Sequence, residues 1–228
     1  MTTSDQGLFI VIDGIHGCGK TTIVEHLTRH LKATGHPVVA TREIGGTPLG
    51  NKIRHLVDTL DEAQDPETAL LLILAARAKH VKDLIRPGLA QNRIVITDRF
   101  TPSTYVYQYY CIEKLSGQIE YLELIRHLND FVTDGLTPDL TIILDVPVDV
   151  ALRRQEQSQR SRKRTPAPLR DQEKAREGYV HFADSEGWII LNADRSSQAV
   201  LETVEELLAP LLMRLTTPAS QKIQEPGP

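Results

Sequence analysis

The sequence predicts an α/β fold in which a five-stranded parallel sheet is flanked by helices. Five short runs are apolar nearly throughout and rich in β-branched residues, as is typical of strands buried on both faces. They alternate along the chain with segments whose apolar residues recur at helical spacing, which indicates helices packed against a parallel sheet. The five runs are residues 8–13, 37–40, 93–97, 140–146 and 188–191.

The first strand and the first helix have the clearest signals. The strand LFIVID (8–13) is followed at once by glycines. Residues 20–31 then place Ile23, Leu27 and Leu31 on one helical face, and Gly35 marks the end of the helix. Ligands of parallel sheets bind beyond the carboxyl ends of the strands, so polar residues directly after each strand are candidate site residues.

Further helices are predicted between the later strands. Two of them precede the third strand, at 49–60 and 66–85, and we expect Pro87 and Gly88 to stop the longer one. A basic stretch at 153–176 has the composition of a solvated charge run. The remaining predicted helices are 103–111, 117–132, 148–154 and 198–215.

Composition narrows the class of protein. The chain has 228 residues, 40% of them hydrophobic, which fits a single domain, predicted over residues 1–215 with a disordered tail at 216–228. No apolar run approaches the ~20 residues that span a membrane, and no secretion signal is visible at the N-terminus. A net charge of −4 argues against nucleic-acid binding. Cys18 and Cys111 cannot form a disulfide framework, so we expect a cytoplasmic protein.

Residues 14–21 match the phosphate-binding pattern GxxxxGK[ST] between a predicted strand and a predicted helix. Glycines let successive N–H groups point at phosphate oxygens, and the helix N-terminus adds partial positive charge. Lys20 would reach the β- and γ-phosphates, and the Thr21 hydroxyl would bind Mg²⁺. The sequence therefore predicts a P-loop NTPase fold. The predicted ATP-binding residues are Gly14, Ile15, His16, Gly17, Cys18, Gly19, Lys20, Thr21 and Thr22.

Other segments resemble the thymidylate kinase family in order and spacing. The resemblance covers residues 9–154 and resumes weakly at REGY (176–179) and NAD (192–194). It implies an enzyme that transfers the γ-phosphoryl group of ATP to dTMP, giving dTDP and ADP. Relatives form homodimers through helices, so it implies a homodimer too. The segments that carry it, besides FIVIDGIHGCGKTT, are TREIGGTPLGNKIR (41–54), TDRFTPSTYVYQ (97–108) and TPDLTIILDVPVDVALRR (137–154).

The resemblance also implies where the acceptor nucleotide is held. Arg42, Arg54 and Arg99 match arginines that bind the acceptor phosphate, and guanidinium forks suit phosphate oxygens. Arg77 matches the arginine that contacts the O4 edge of thymine. Asp98 would hold a water of Mg²⁺ or fix Arg99 in place. The remaining predicted acceptor-site residues are Asp13, which would orient the arginines, and Ile73, Ser103, Thr104, Tyr107 and Gln108.

The basic stretch after the fourth strand matches the mobile lid of these kinases, predicted at about 155–172. Some relatives carry an arginine inside the phosphate loop, where this chain has Gly17. A lid arginine would then supply positive charge over the transferred group, and Arg160, Arg162 and Arg164 are the candidates. The predicted catalytic set is Lys20, Arg99, Arg160 and Arg162. No general base is expected, because the acceptor phosphate oxygen is already anionic.

Three positions depart from the family pattern. His16 replaces an acidic residue, Ile73 replaces an aromatic residue on which thymine stacks, and Ile44 replaces the proline of TREPGG. That proline is the usual cause of a cis peptide there, and Ile44 removes this cause. Two enzymatic hypotheses follow: a thymidylate kinase with an altered pocket, or a kinase for another nucleoside monophosphate, such as a modified pyrimidine nucleotide. A P-loop protein that binds nucleotide without turnover is the third.

Overall fold

A computed structural model describes residues 7–60, 65–113, 115–157 and 169–216, and its strands form one five-stranded sheet. The order is β2-β3-β1-β4-β5, and every neighbouring pair is parallel. The predicted fold class is confirmed, although β2, β3 and β5 each begin one residue later than predicted. The strands are Leu8–Asp13 (β1), Val38–Arg42 (β2), Ile94–Asp98 (β3), Leu140–Asp145 (β4) and Ile189–Asn192 (β5).

The central strand β1 is buried along its whole length and supplies side chains to both faces of the sheet. Leu8, Ile10 and Ile12 belong to the larger hydrophobic cluster, whereas Phe9 and Val11 belong to a second, smaller one. Successive residues of a strand point to opposite faces, so two separate clusters mean that both faces are covered. This explains why β1 is apolar at consecutive positions up to Asp13.

Helices cover the sheet and also connect its strands. Two π-helical turns interrupt them, at Val81–Ile85 and Val106–Tyr110. Within the described residues, none of the helices combines the length and the apolar character needed to cross a membrane. The helices are Lys20–Ala33 (α1), Pro48–Val57 (α2), Pro66–His80 (α3), Arg86–Ala90 (α4), Thr101–Tyr105 (α5), Ile119–Thr133 (α6), Val148–Gln157 (α7), Leu169–Glu186 (α8) and Ser197–Thr216 (α9).

The prediction that Pro87 and Gly88 stop the long helix is wrong. After α3 the chain passes through the π-helical turn and continues as α4 to Ala90. Pro87 lies in the first turn of α4, where a missing N–H is tolerated. Helix α4 ends at Ala90, and Asn92, with a φ of 59°, then takes the chain into the left-handed region.

The predicted helix at 103–111 is also corrected, because it consists of α5 followed by a π-helical turn. A π turn bonds each N–H one residue further back than an α turn does, and therefore shifts which side chains share a face. Tyr107 and Gln108 both lie within this turn. The predicted acceptor residues on this segment are thus presented by two different helical geometries.

Helix α8 was not predicted, because the basic stretch at 153–176 has the composition of a solvated charge run. Its buried residues follow helical spacing, at Gln172, Ala175, Tyr179 and Phe182. Because two of these four residues are a glutamine and an alanine, and many charged residues surround them, the sequence shows only a weak helical periodicity of apolar residues. Of the predicted lid, 155–157 belong to α7 and 169–172 to α8, and 158–168 lie outside the described residues. Thr216 of the predicted tail ends α9, and 217–228 lie outside as well.

Candidate active site

The loop between β1 and α1 curls tightly against its neighbours. Gly14, Gly17 and Gly19 have φ values of 134°, 82° and 107°, which residues with a side chain rarely adopt. A Cβ on Gly14 would lie 2.6 Å from the carbonyl oxygen of Leu144, and one on Gly17 would collide with the carbonyl oxygen of Ala151. An arginine at Gly17 would not fit this packing of α7 on the loop.

Lys20 is buried at the base of this loop. Its Nζ donates to the carbonyl oxygens of Gly14 at 3.0 Å and Ile15 at 2.8 Å, and it lies 3.6 Å from the Cys18 Sγ. Burial raises the pKa of the Cys18 thiol although the charge of Lys20 opposes the effect. The thiol is therefore protonated at neutral pH and adds no charge to the loop.

The loop forms one wall of a cleft of about 870 Å³ at the carboxyl ends of the strands. A volume of this size accommodates a nucleotide-sized ligand. Arg42 also lines it, and within the described part of the chain no hydrogen bond or ion pair engages that guanidinium. The predicted residues that line this cleft are His16, Gly17, Cys18, Gly19, Lys20, Thr21, Thr22, Arg42, Arg54, Asp98 and Arg99.

Two oxygen-bearing side chains meet in the same cleft. The Thr21 hydroxyl donates to Asp98 Oδ2 at 2.9 Å, which joins the start of α1 to the end of β3. Hydroxyl and carboxylate oxygens are hard donors of the kind that Mg²⁺ prefers. The pair that the sequence predicted as metal-binding is thus brought together, and its chemistry fits that ion.

Arg99 follows β3 and has a φ of 77°. Its Nη1 donates to Asp13 Oδ1 at 3.3 Å, Ser103 Oγ at 2.7 Å and Tyr179 Oη at 3.2 Å. Burial alone would lower the pKa of Arg99, but the oxygens of Tyr107, Tyr179 and Asp13 outweigh it, and the pKa is raised well above its usual value. Arg99 Nη2 is buried with no hydrogen-bond partner in the described ranges. A charged donor is therefore available to a ligand.

Asp13 is fully buried behind Arg99 and lines neither cleft. Its carboxylate accepts from the backbone N–H groups of Gly14 and Ser103, from the Ser103 hydroxyl, and from Tyr179 Oη at 2.8 Å. These donors fix the carboxylate, and the carboxylate in turn fixes Arg99. Asp13 is therefore placed where it can orient Arg99, as predicted, but a ligand in either cleft would not contact it.

A smaller cleft of about 150 Å³ adjoins the first. Four residues line both clefts: His16, Glu43, Arg54 and Arg99. Ligands in the two clefts would therefore meet beside these side chains. Thr104 Oγ1 is buried in this cleft without a partner in the described residues. The predicted acceptor residues that line it, besides Arg54 and Arg99, are Ile73, Arg77, Ser103, Thr104, Tyr107 and Gln108.

Some predicted residues lie apart from both clefts. Gly14 and Ile15 form the base of the phosphate loop and line neither. Arg160 and Arg162 lie outside the described residues. The Glu43–Ile44 peptide is cis although Ile44 stands where the family pattern has proline. Hydrogen bonds hold both partners, from Glu43 N to the Asp98 carbonyl and from Arg54 Nη1 to the Ile44 carbonyl.

Sequence reasoning missed three residues of the site. Glu43 lines both clefts, Tyr179 binds Asp13 and Arg99, and Arg154 lines the larger cleft. Arg154 donates to the carbonyl oxygens of Cys18 at 3.4 Å and Ala193 at 3.0 Å. The segments TRE and REGY contained Glu43 and Tyr179, but only the fold places them beside the arginines.

Comparisons with known proteins agree with this geometry. A family profile described as thymidylate kinase matches residues 12–204. A thymidylate kinase of Geotalea uraniireducens is 40% identical over 217 residues, covering 92% of this chain and 99% of the relative. One of Pseudomonas fluorescens is 48% identical over 149 residues, covering 65% of this chain and 68% of the relative.

A solved structure shares the fold as well. The crystal structure of thymidylate kinase from Ehrlichia chaffeensis has a TM-score of 0.70 and 30% identity to this chain, covering 89% of this chain and 98% of that one. The phosphate loop, the arginines at the second cleft and these matches lead to one assignment. The chain belongs to the thymidylate kinase family.

Proposed function

We propose that this chain transfers the γ-phosphoryl group of ATP to dTMP, with ATP in the larger cleft and the base of dTMP in the smaller one, so that the dTMP phosphate points into the larger cleft toward Arg42. The observation that carries the proposal is the wall shared by the two clefts, where Arg54 and Arg99 line both. The phosphates of ATP and dTMP repel each other, so they can approach closely only if positively charged side chains lie between them. The curated relatives named thymidylate kinase support dTMP as the acceptor.

On the donor side, the loop around Lys20 would hold the triphosphate. Curled backbone N–H groups and the N-terminus of α1 favour anions there. Lys20 bonds the loop's own carbonyls, and a short rotation of its flexible stem would bring Nζ to the β- and γ-phosphates. Lys20 and Arg99 are our proposed catalytic residues. We keep Arg160 and Arg162 as proposed lid cations, since the end of α7, which precedes them in the sequence, lines the larger cleft with Arg154 and Gln155.

On the acceptor side, Arg42, Arg54 and Arg99 would bind the acceptor phosphate with their positive charge. Arg99 has an unpartnered, buried Nη2, and Arg42 has no ion pair among the described residues. Transfer would be in line through a loose transition state, so these groups act by positioning and by meeting developing charge. The acceptor oxygen is already anionic, and no side chain needs to remove a proton.

Mg²⁺ is the proposed metal. Thr21 and Asp98 would hold it, directly or through water, at the mouth of the phosphate loop. When bound, the ion would neutralise charge on the phosphate oxygens of ATP. Both side chains also have a role without it, because their mutual hydrogen bond ties α1 to β3.

The base would enter the smaller cleft. Its polar lining offers the donor Arg77, the unpartnered hydroxyl of Thr104 and the amide of Gln108. A guanidinium can only donate hydrogen bonds, so it favours a carbonyl such as thymine O4 over the amino group of cytosine. Ile73 supplies an aliphatic wall where an aromatic residue would stack on the base.

We also propose a homodimer in the cytoplasm, with neither nucleic acid nor a membrane as partner. Exposed large apolar side chains occur on three helices that pack side by side, α2, α3 and α6. Leu71 on α3 is 60% exposed and Phe131 on α6 is 82% exposed. A second copy of the chain would cover such a surface. The cytoplasm supplies ATP and keeps Cys18 and Cys111 reduced, and cell fractionation would test this location.

The first prediction concerns the acceptor. ADP release, coupled to an absorbance change, is measured with ATP and Mg²⁺ and with dTMP, dUMP, dCMP or dGMP. We expect dTMP to have the highest kcat/KM, because Arg77 favours the O4 carbonyl that dCMP lacks and because the curated relatives are named thymidylate kinase. A different best acceptor would favour a kinase for another nucleoside monophosphate, and no acceptor-dependent ADP would favour a binding protein.

The second prediction concerns Arg42. Replacing it with alanine should raise the KM for dTMP roughly tenfold or more, the factor expected when a charged hydrogen bond is lost, and leave the KM for ATP nearly unchanged. Arg29→Ala, at an exposed position of α1, is the matched control. Equal kinetics in the two variants would remove Arg42 from the acceptor site.

The third prediction concerns the metal. Excess EDTA should abolish turnover, and Asp98→Asn should raise the Mg²⁺ concentration that gives half-maximal rate. Asp184→Asn, exposed on α8, should titrate like the unsubstituted chain. Turnover that persists in EDTA would show that the reaction needs no divalent ion.

The fourth prediction concerns assembly. Light scattering should give twice the chain mass of 25.5 kDa, and Leu71→Glu should halve it by placing a charge in the apolar contact. Met213→Glu, at another exposed apolar position on α9, should remain dimeric. If the unsubstituted chain scatters as 25.5 kDa, the proposed dimer is wrong.

A further inference from the structure

A continuous chain of polar side chains lies behind the smaller cleft and ends on Arg77. Glu43 accepts a hydrogen bond from Arg77 Nε at 2.8 Å and faces His80 Nδ1 at 3.0 Å with its other oxygen. His80 Nε2 lies 2.7 Å from Thr41 Oγ1. On the other side, Arg77 Nη1 donates to Asn129 Oδ1. The chain thus connects β2, α3 and α6.

These contacts fix the orientation of Arg77. Its side chain is 1% exposed and 5.0 Å above the ring of Phe100, so the guanidinium is clamped at two nitrogens and along one face. Asn129 is itself oriented, because its Nδ2 donates to the Ile125 carbonyl. In the described residues Nη2 has no partner, and it is the nitrogen left for a ligand in the cleft that Arg77 lines.

The same contacts set the charge of the group. Burial alone would raise the pKa of Glu43, but the charge of Arg77 and the hydrogen bond from His80 outweigh it, and the pKa is lowered. Glu43 is therefore an anion at neutral pH and pairs with the cation Arg77. Buried ions need such a partner, and this pair is neutral as a unit.

His80 holds Glu43 from the opposite side. Because the carboxylate can only accept, His80 Nδ1 carries a proton and Nε2 faces Thr41. No bulk can be added here, since a Cβ on Gly46 would lie 2.5 Å from Thr41 Oγ1 and 2.9 Å from His80 Nε2. These contacts fix the orientation of the Glu43 carboxylate, and its hydrogen bond with Arg77 Nε in turn orients the guanidinium.

We propose that Glu43 and His80 are positioning residues that aim Arg77 at the base of the acceptor and neutralise its charge. A neutralised guanidinium selects by the direction of the hydrogen bond and not by charge, and it therefore accepts a base carbonyl and rejects an amino group at the same place. The inference rests on the proposed function, because it assumes a nucleotide base in the smaller cleft.

A double-mutant cycle tests this role against a merely structural one. Glu43→Gln keeps the shape of the side chain and removes its charge, Arg77→Ala removes the group that is aimed, and the double variant combines them. Glu206→Gln, at an exposed position of α9, makes the same charge change away from the site. KM and kcat are measured for ATP, dTMP and dCMP, together with the melting temperature.

We expect Glu43→Gln to raise the KM for dTMP on the order of tenfold, within the range of coupling between contacting residues, with the KM for ATP changed less than about twofold. The preference for dTMP over dCMP should fall with it. In the Arg77→Ala background the same change should add less than about twofold, because its target is gone. Glu206→Gln should match the unsubstituted chain.

The proposal is overturned if Glu43→Gln raises the KM for dTMP by the same factor in both backgrounds, or raises both KM values alike. If Glu43→Gln does not fold, His80→Asn takes its place, since it leaves the Glu43–Arg77 pair intact. It should lower the preference for dTMP over dCMP, and an unchanged preference overturns the proposal. An unsubstituted chain that phosphorylates no acceptor would refute the proposed function instead.

Discussion

The contact between Asp13 and Arg99 positions the parts of the site relative to one another. Asp13 ends the central strand β1 and Arg99 directly follows β3, and these strands are neighbours in the sheet. Breaking a buried ion pair by removing one partner typically costs about 3–5 kcal/mol, so the pair holds the two strand ends in a fixed relation. The phosphate loop leaves from one end, and helix α5, which carries the predicted acceptor residues Ser103 and Thr104, leaves from the other. The position of the loop relative to this helix therefore follows from the sheet.

Helices α7 and α8 attach to the same framework. Gln155 of α7 donates to the His16 carbonyl of the phosphate loop, and Tyr179 of α8 donates to Asp13. Arg176 of α8 also forms two hydrogen bonds with Asp145 at the end of β4, at 2.6 and 2.8 Å. Helices α7 and α8 are thus tied to the phosphate loop and to the carboxyl ends of β1 and β4.

The sequence was sufficient where the signal is local. The apolar run of β1, the glycines after it and Lys20 are contiguous, and motif and periodicity place them correctly. It was insufficient where the geometry depends on the fold. No propensity marks the π-helical turn that holds Tyr107, and helix α8 is hidden by its charges. Glu43 could be seen in the segment TRE, but its contact with Arg77 crosses 34 residues and needs the packed structure.

Two arginines of the smaller cleft, the buried Arg77 and the partly exposed Arg99, differ in their partners and in their surroundings. Arg77 is paired with Glu43 on a deeply buried side of the cleft, so it offers a hydrogen-bond direction without net charge, which suits an uncharged base. Arg99 is paired with Asp13 but lines the larger cleft as well, where Arg42 and Lys20 add charge that no carboxylate in the described residues neutralises by an ion pair. Positive charge therefore increases from the smaller cleft toward the phosphate loop. Under the proposed function, a nucleotide with a neutral base and a dianionic phosphate would match that gradient with its base beside Arg77 and its phosphate near Arg99 and the phosphate loop.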